Sequence, residues 1–222
     1  MTRLDSGKII EDSFGYAKEG LIGKWETWVL LIFSCLVFPL YLGYVIRICR
    51  GANPSPQLDN WGSMFIDGIK LFIIGLIYAL PVLILSFALF ESADMIRSSV
   101  NPSTIGGLII TILMGAIILV IVTISIWLIV MTAGVRFART ENIGEAFNFG
   151  AIFIHIGQIG WMTYIIALLM ILIILVNITI ICLIINMVIP YTGIILFFIL
   201  LPFLSLFSPR YITLLYESAG EA

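Results

Sequence analysis

Charge is what this sequence has least of. Lysine, arginine, aspartate and glutamate make up 11% of its 222 residues, and the formal net charge is −2. Soluble domains carry about 25% charged and 45–50% apolar residues, whereas here 61% are apolar and the mean hydropathy is +1.17. That balance excludes a soluble globular domain. The missing basic excess excludes a nucleic-acid binder, and the missing polarity excludes a disordered chain. Histidine is scarcer still: His155 is the single imidazole and sits in no HExxH spacing, so metalloenzyme chemistry has no support. Cys35, Cys49 and Cys182 stand far apart without a CxxC pair. They read as small packing residues rather than a disulfide framework or a metal site, with a lipid on interfacial Cys49 as the lesser alternative. No Walker loop, GxSxG elbow, dinucleotide fingerprint or paired-carboxylate motif occurs, so no catalytic, cofactor-binding or metal residue is assigned.

What is present is long apolar runs. A helix crossing the hydrocarbon needs about 20 apolar residues at 1.5 Å each. No charged residue falls between Glu145 and Arg210, which leaves room for two crossings, Gly160–Ile185 and Pro190–Phe207. Asn186, Pro190 and Gly193 mark the break between them. Ser98 to Val135 is also charge-free; Asn101–Pro102 reads as an N-cap with proline at the first helical position, opening a span Ile105–Val135. Leu71–Phe90 makes another span, with Pro81 as a kink. Trp28–Cys49 is the first, with Pro39 near its centre. The expected fold is therefore an all-α integral membrane protein of about five transmembrane helices. Residues 1–27 form a charged amphipathic segment that leaves no room for a signal peptide, and residues 28–222 form one transmembrane domain.

An internal repeat runs through that domain. Asp59-Asn60-Trp61-Gly62-Ser63-Met64-Phe65-Ile66-Asp67-Gly68 lies over Glu141-Asn142-Ile143-Gly144-Glu145-Ala146-Phe147-Asn148-Phe149-Gly150 without a gap, sharing [DE]-N-x-G-x-x-F-x-x-G. An R-x-x-R precedes each copy, Arg47 and Arg50 before the first, Arg136 and Arg139 before the second. Repeat one is placed at about 47–135 and repeat two at about 136–217. Each motif opens a short amphipathic interfacial helix: Asn60, Ser63, Asp67 and Lys70 in one copy, Glu145, Asn148, His155 and Gln158 in the other. A degenerate third copy is read at the N-terminus, with Lys8, Asp12 and Lys18 on one face and Phe14, Ala17 and Leu21 on the other.

The basic residues set the orientation. Arg47, Arg50, Lys70, Arg136, Arg139 and Arg210 flank one side of the expected membrane, and the loops on the other side hold only Arg97. The first side should be cytoplasmic, with the C-terminus inside a multi-pass cell-membrane protein. Five spans then put the N-terminus outside, although Arg3, Lys8, Lys18 and Lys24 favour the inside. The 22 residues between Lys24 and Arg47 are too few for two full crossings, so five spans are kept, with a re-entrant first segment bent at Pro39 as the main alternative.

Ionisable residues inside a bilayer usually mark ion or proton paths, and none lies at the centre of an expected span. Asn177 is the deepest strongly polar group, and interhelical hydrogen bonding is its ordinary reading. Glu91, Asp94 and Arg97 read as a solvated helix end, and His155 as a polar-face residue. Arg47, Arg50, Arg136 and Arg139 are the candidate contacts to lipid headgroups, weighed against ordinary snorkelling anchors.

Residues 43–81 carry a family resemblance. Gly43-Tyr44-Val45-Ile46-Arg47-Ile48-Cys49-Arg50, Gln57-Leu58-Asp59-Asn60-Trp61-Gly62, Phe65-Ile66-Asp67-Gly68-Ile69-Lys70 and Ile77-Tyr78-Ala79-Leu80-Pro81 resemble the domain-of-unknown-function family numbered 4013, small multi-span proteins found largely in archaea. That family usually has an acidic residue beside the tryptophan; here Asn60 is adjacent and Asp59 lies two residues before it. The resemblance implies the architecture and no activity, substrate or cofactor. The expectation is a non-enzymatic scaffold or accessory protein whose partners are the lipid bilayer, anionic headgroups or other membrane proteins, with homo-oligomers compatible. The alternative is a small-solute transporter or channel built from the repeats.

Overall fold

A computed structural model describes residues 6–98 and 102–220, and every regular element among them is helical. In chain order these are α1 (Ser6–Leu21), α2 (Trp25–Leu36), α3 (Phe38–Cys49), α4 (Trp61–Ser98), α5 (Pro102–Thr140), α6 (Phe149–Ile159), α7 (Trp161–Val188) and α8 (Thr192–Glu217). Short 3-10 turns follow α5 at Ile143–Phe147 and α8 at Ser218–Gly220. The chain forms two compact units. One holds the residues up to Phe72 and from Met131 onward; the other is Ile73–Val130.

Four helices are long and apolar enough to cross a membrane: Trp61–Ser92, Ile109–Thr140, Trp161–Val188 and Thr192–Gly220. Four of the five expected spans fall on them. The fifth, Trp28–Cys49, is instead two helices of 12 residues each, about 18 Å apiece against a hydrocarbon core of about 30 Å. Pro39 is the physical cause. It has no N–H for the carbonyl of Cys35, and its ring clashes with that carbonyl in a continuous helix. The chain breaks at Val37 (φ −100°, ψ 80°) and restarts with Pro39 in the first turn of α3.

α2 and α3 fold back on each other as a helical hairpin. α3 runs antiparallel to the start of α4: a Cβ on Gly43 would lie 1.8 Å from the Met64 carbonyl oxygen, and one on Gly68 1.7 Å from that of Pro39. Phe38 meets Phe72 edge-on at 5.9 Å, whereas Phe33, in α2, meets Trp61 at 6.4 Å, at the other end of that stretch of α4. The start of α2 and the segment after α3 also share one cleft, of about 710 Å³, lined among others by Lys24, Trp25, Pro54 and Gln57. Both ends of the hairpin therefore lie beside the opening turn of α4.

α1 lies along α8. Ile9, Ser13, Tyr16, Ala17 and Leu21 are buried on one stripe while Lys8, Asp12 and Lys18 are exposed, the two-faced pattern its sequence predicts. Phe14 departs from it: 52% exposed, it reaches only the edge of Phe203 at 5.2 Å.

The two motif copies fold differently. After the second copy, Gly160 adopts φ +94°, a conformation costly for other residues, and it separates α6 from α7. In the first copy no such residue intervenes, so Asn60 precedes, and Ser63, Asp67 and Lys70 lie within, the opening turns of unbroken α4. The short interfacial helix expected there is thus continuous with its span. The expected N-cap Asn101 lies outside the described residues, and α5 opens at Pro102.

Two outcomes follow from the hairpin. Gly→Ala in a helix ordinarily stabilises by about 0.5–1 kcal/mol, but Gly43→Ala collides with backbone and should destabilise by about 1–3 kcal/mol. Gly75→Ala, where a Cβ meets nothing within 4 Å, should not; detergent unfolding of the full chain compares them. In a background with Cys35, Cys49 and Cys182 replaced by alanine, single cysteines at Asp12 and Ser218 should react with a membrane-impermeant maleimide from the same side. Labelling from opposite sides would restore a full crossing for residues 28–49.

Candidate functional site

The four candidate arginines come from two helix ends. Arg47 lies in the last turn of α3 and Arg50 caps it, while Arg136 and Arg139 lie in the last turns of α5. A helix leaves its last four carbonyls without intrahelical partners, and cations are favourable there. The fold meets both conditions by exchange. Arg50 Nε donates to the carbonyl of Ala138 at 3.4 Å, and Arg139 Nε donates to that of Cys49 at 2.8 Å. Each arginine therefore closes the other helix, through the residue that directly precedes the other arginine. Gly51, at φ +89°, lies against the Arg139 guanidinium, 2.9 Å from where a Cβ would stand.

Carboxylates occupy the remaining guanidinium donors. Arg47, 15% exposed, pairs with Asp59 at 2.7 Å and also donates to the Gln57 carbonyl at 3.0 Å and the Ser63 hydroxyl at 3.3 Å. Arg50 pairs with Asp67 at 2.8 Å and Glu141 at 3.2 Å, and Lys70 supports Asp67 at 3.3 Å. Arg136 grips Glu145, its Nε at 2.8 Å, and Arg139 reaches Glu217. The structure thus brings Arg50 and Arg139 together, while Arg47 holds the first residue of its own motif, Asp59, and Arg136 the fifth residue of its own, Glu145.

The second copy builds its site locally. The Asn142 side chain accepts from the Gly144 N–H at 2.9 Å and caps the 3-10 turn, and Asn148 accepts from the Ala151 N–H at 3.2 Å and caps α6, as short polar side chains do at helix starts. The Arg136 guanidinium, with help from the Asn148 amide, holds the Glu145 carboxyl below its ordinary 4.5. From α6, the His155 ring stacks on Tyr216 at 3.8 Å and donates from Nε2 to its carbonyl at 2.9 Å. Burial lowers the imidazole from its ordinary 6.5, partly opposed by that carbonyl, with nearby Arg136 lowering it further. His155 and Arg139 together fasten the end of α8.

This arrangement binds helix ends together, and it contains no nucleophile set against a base. Among the described residues no group of three or more His, Cys, Asp or Glu is placed to hold a metal. Glu91 and Asp94 are exposed, and the Arg97 side chain completing that pattern lies outside the described residues. Asn177 donates to the Ile173 carbonyl of its own helix at 2.8 Å, not across to a neighbour. Sequence reasoning missed Glu217 as a partner, although it is the first acid after Glu145; its isolation was the available signal.

A family model described as a protein of unknown function, DUF4013, matches residues 28–187, well over half the chain and including both R-x-x-R pairs. The chain belongs to the DUF4013 family. Comparison with curated proteins and with solved structures finds no match. The DUF4013 match takes in α2 to nearly the end of α7 and omits α1 and α8, so the Arg139–Glu217 closure reaches outside the matched region.

The Glu145 pair gives a pH signature. A carboxyl lowered by folding stabilises fully above its unfolded value and loses that contribution as pH falls through its folded value. The thermal midpoint of the wild-type protein should exceed that of Arg136→Gln by its full margin above pH 6.5, with the margin narrowing slightly through the His155 range and mainly below pH 4.5 as Glu145 protonates. A margin independent of pH would show that the guanidinium acts there by packing alone.

Proposed function

We propose that this protein is a non-enzymatic scaffold or accessory subunit of the cell membrane, multi-pass, with its C-terminus on the cytoplasmic side, working through lipids and membrane partners. The single observation carrying this reading is where its uncovered surface lies. The central window of α5 has none of its residues buried, and that of α4 has 11%. Ile110, Ile117 and Ile121 are 64%, 56% and 58% exposed, an apolar area far beyond what soluble monomers leave open. Thr123 donates to Leu119, Ser125 to Ile121 and Thr179 to Leu175, each within its own helix, and the cross-helix ties, Thr132 to Tyr164 and Tyr211 to the Ala167 carbonyl, are buried pairs rather than a lined path. A solute path instead needs such groups to face one another across helices. In this reading the exchange between Arg50 and Arg139 is one contact between the two repeats, beside Arg50–Glu141 and Thr132–Tyr164. Any headgroup meeting Arg47, Arg50, Arg136 or Arg139 shares them with the carboxylates that already hold them.

A photo-crosslinking amino acid at Ile110 or Ile117, in native membranes, should give discrete protein adducts that are absent when the same probe replaces buried Tyr44. Adducts to lipid alone, together with solute flux through proteoliposomes above empty vesicles, would overturn the accessory reading in favour of a transporter or channel.

A further inference from the structure

Arg210, at the charged end, has no carboxylate partner among the described residues, unlike the arginines of the two R-x-x-R pairs. Arg47, Arg50, Lys70, Arg136 and Arg139 each pair with an acid, but Arg210 makes no ion pair or hydrogen bond with any described residue, and its Nε is buried without an acceptor. A guanidinium has five N–H donors and cannot be deprotonated, so a half-buried one without an anion is costly. One face is satisfied. The Tyr16 ring lies under it, 4.9 Å from ring centroid to guanidinium carbon, and the Tyr16 hydroxyl is fixed by donating to the Ala52 carbonyl at 3.0 Å. The ring therefore orients the planar fork; Nε itself is buried, and the half-exposed side chain offers its two terminal nitrogens to a ligand.

The position of Arg210 along its helix says which ligand. α8 begins at Thr192, and 18 residues on, at 1.5 Å each, Arg210 stands about 27 Å along the axis. The hydrocarbon core is about 30 Å thick, so the guanidinium lies at the boundary where lipid phosphates sit. A planar fork matches the paired oxygens of a phosphate.

We propose that Arg210, oriented by Tyr16, is a binding site for the phosphate of an anionic phospholipid headgroup. The site is separate from the Arg47, Arg50, Arg136 and Arg139 cluster, whose charge is met within the chain. It rests on the reading above that the protein works embedded among lipids, and not on its having a protein partner.

The test is thermal unfolding of the detergent-purified full chain with added phosphatidylglycerol, phosphate-free diacylglycerol or inorganic phosphate. Phosphatidylglycerol should raise the midpoint of the wild-type protein in a saturable way, and neither of the other two should. Arg210→Gln should bind the lipid about tenfold more weakly or worse, with a correspondingly smaller shift. If Arg210→Gln does not fold, Arg210→Lys, which keeps the charge and loses the fork, should still weaken the shift. An unchanged shift in the variant that folds overturns the site. An equal shift with diacylglycerol assigns the effect to acyl chains, and an equal one with inorganic phosphate assigns it to a free anion; either removes the headgroup proposal. None of these outcomes touches the cross-linking result, so the two readings fail separately.

Discussion

The exchange of side chains between Arg50 and Arg139 is the interaction on which the charged end depends. Exposed ion pairs contribute about 0.2–1 kcal/mol each, and Arg47–Asp59, with a carboxylate 61% exposed, belongs in that class. Bonds from a charged donor to a carbonyl are worth about 1.5–3 kcal/mol before allowance for solvent, and here each also settles an acceptor that its own helix cannot serve. The carbonyl bonds therefore fix how the ends of α3 and α5 meet. The carboxylates decide which guanidinium goes where. Asp67 is the exception that acts in both ways: it is 15% exposed, so removing Arg50 would leave a largely buried carboxylate supported by Lys70 alone.

Beyond that end, packing replaces electrostatics. Lipid tails are as apolar as leucine, so helices in a bilayer associate through close contact and a few hydrogen bonds. Gly43 and Gly68 let α3 reach the backbone of α4, and Gly193, where a Cβ would lie 1.9 Å from the Cys182 carbonyl oxygen, does the same between α7 and α8. Tyrosines provide the few polar ties: Tyr164 accepts from the Thr132 hydroxyl at 2.8 Å, and Tyr211 donates to the Ala167 carbonyl at 2.8 Å. Each hydroxyl is satisfied where it is buried, as the low dielectric requires.

The long helices were legible because one local quantity, the spacing of scarce charges, sets them. The break at Pro39 was only partly legible: a proline acts on its own four-residue neighbourhood, yet apolar length favoured one span over 28–49 and left the bent hairpin as the alternative. The partners of the arginines were not legible, because identity at a position does not say which distant position faces it. Arg139 and Glu217 are 78 residues apart, and Glu141, aligned with Asp59, pairs across to Arg50 rather than back to its own R-x-x-R. The unequal fate of the two motif copies turned on Asn148, which separates the second copy's 3-10 turn from α6, and on Gly160, a residue outside the motif. A repeat in sequence fixed what each copy can bond, and the residues around it decided whether a helix stops.

That division bears on where binding chemistry can reside. Within the repeated motifs every guanidinium has a carboxylate, so the motifs serve the protein's own cohesion first. A charge is available to an outside anion only where the chain has placed no acid against it. α1 and α8, which lie outside the matched family region, meet that condition where Tyr16 and Arg210 stack without a carboxylate between them. The shared body of the fold thus supplies closure at the charged end and an apolar surface elsewhere, and the two flanking helices supply a ring-stacked guanidinium against which no described carboxylate is placed.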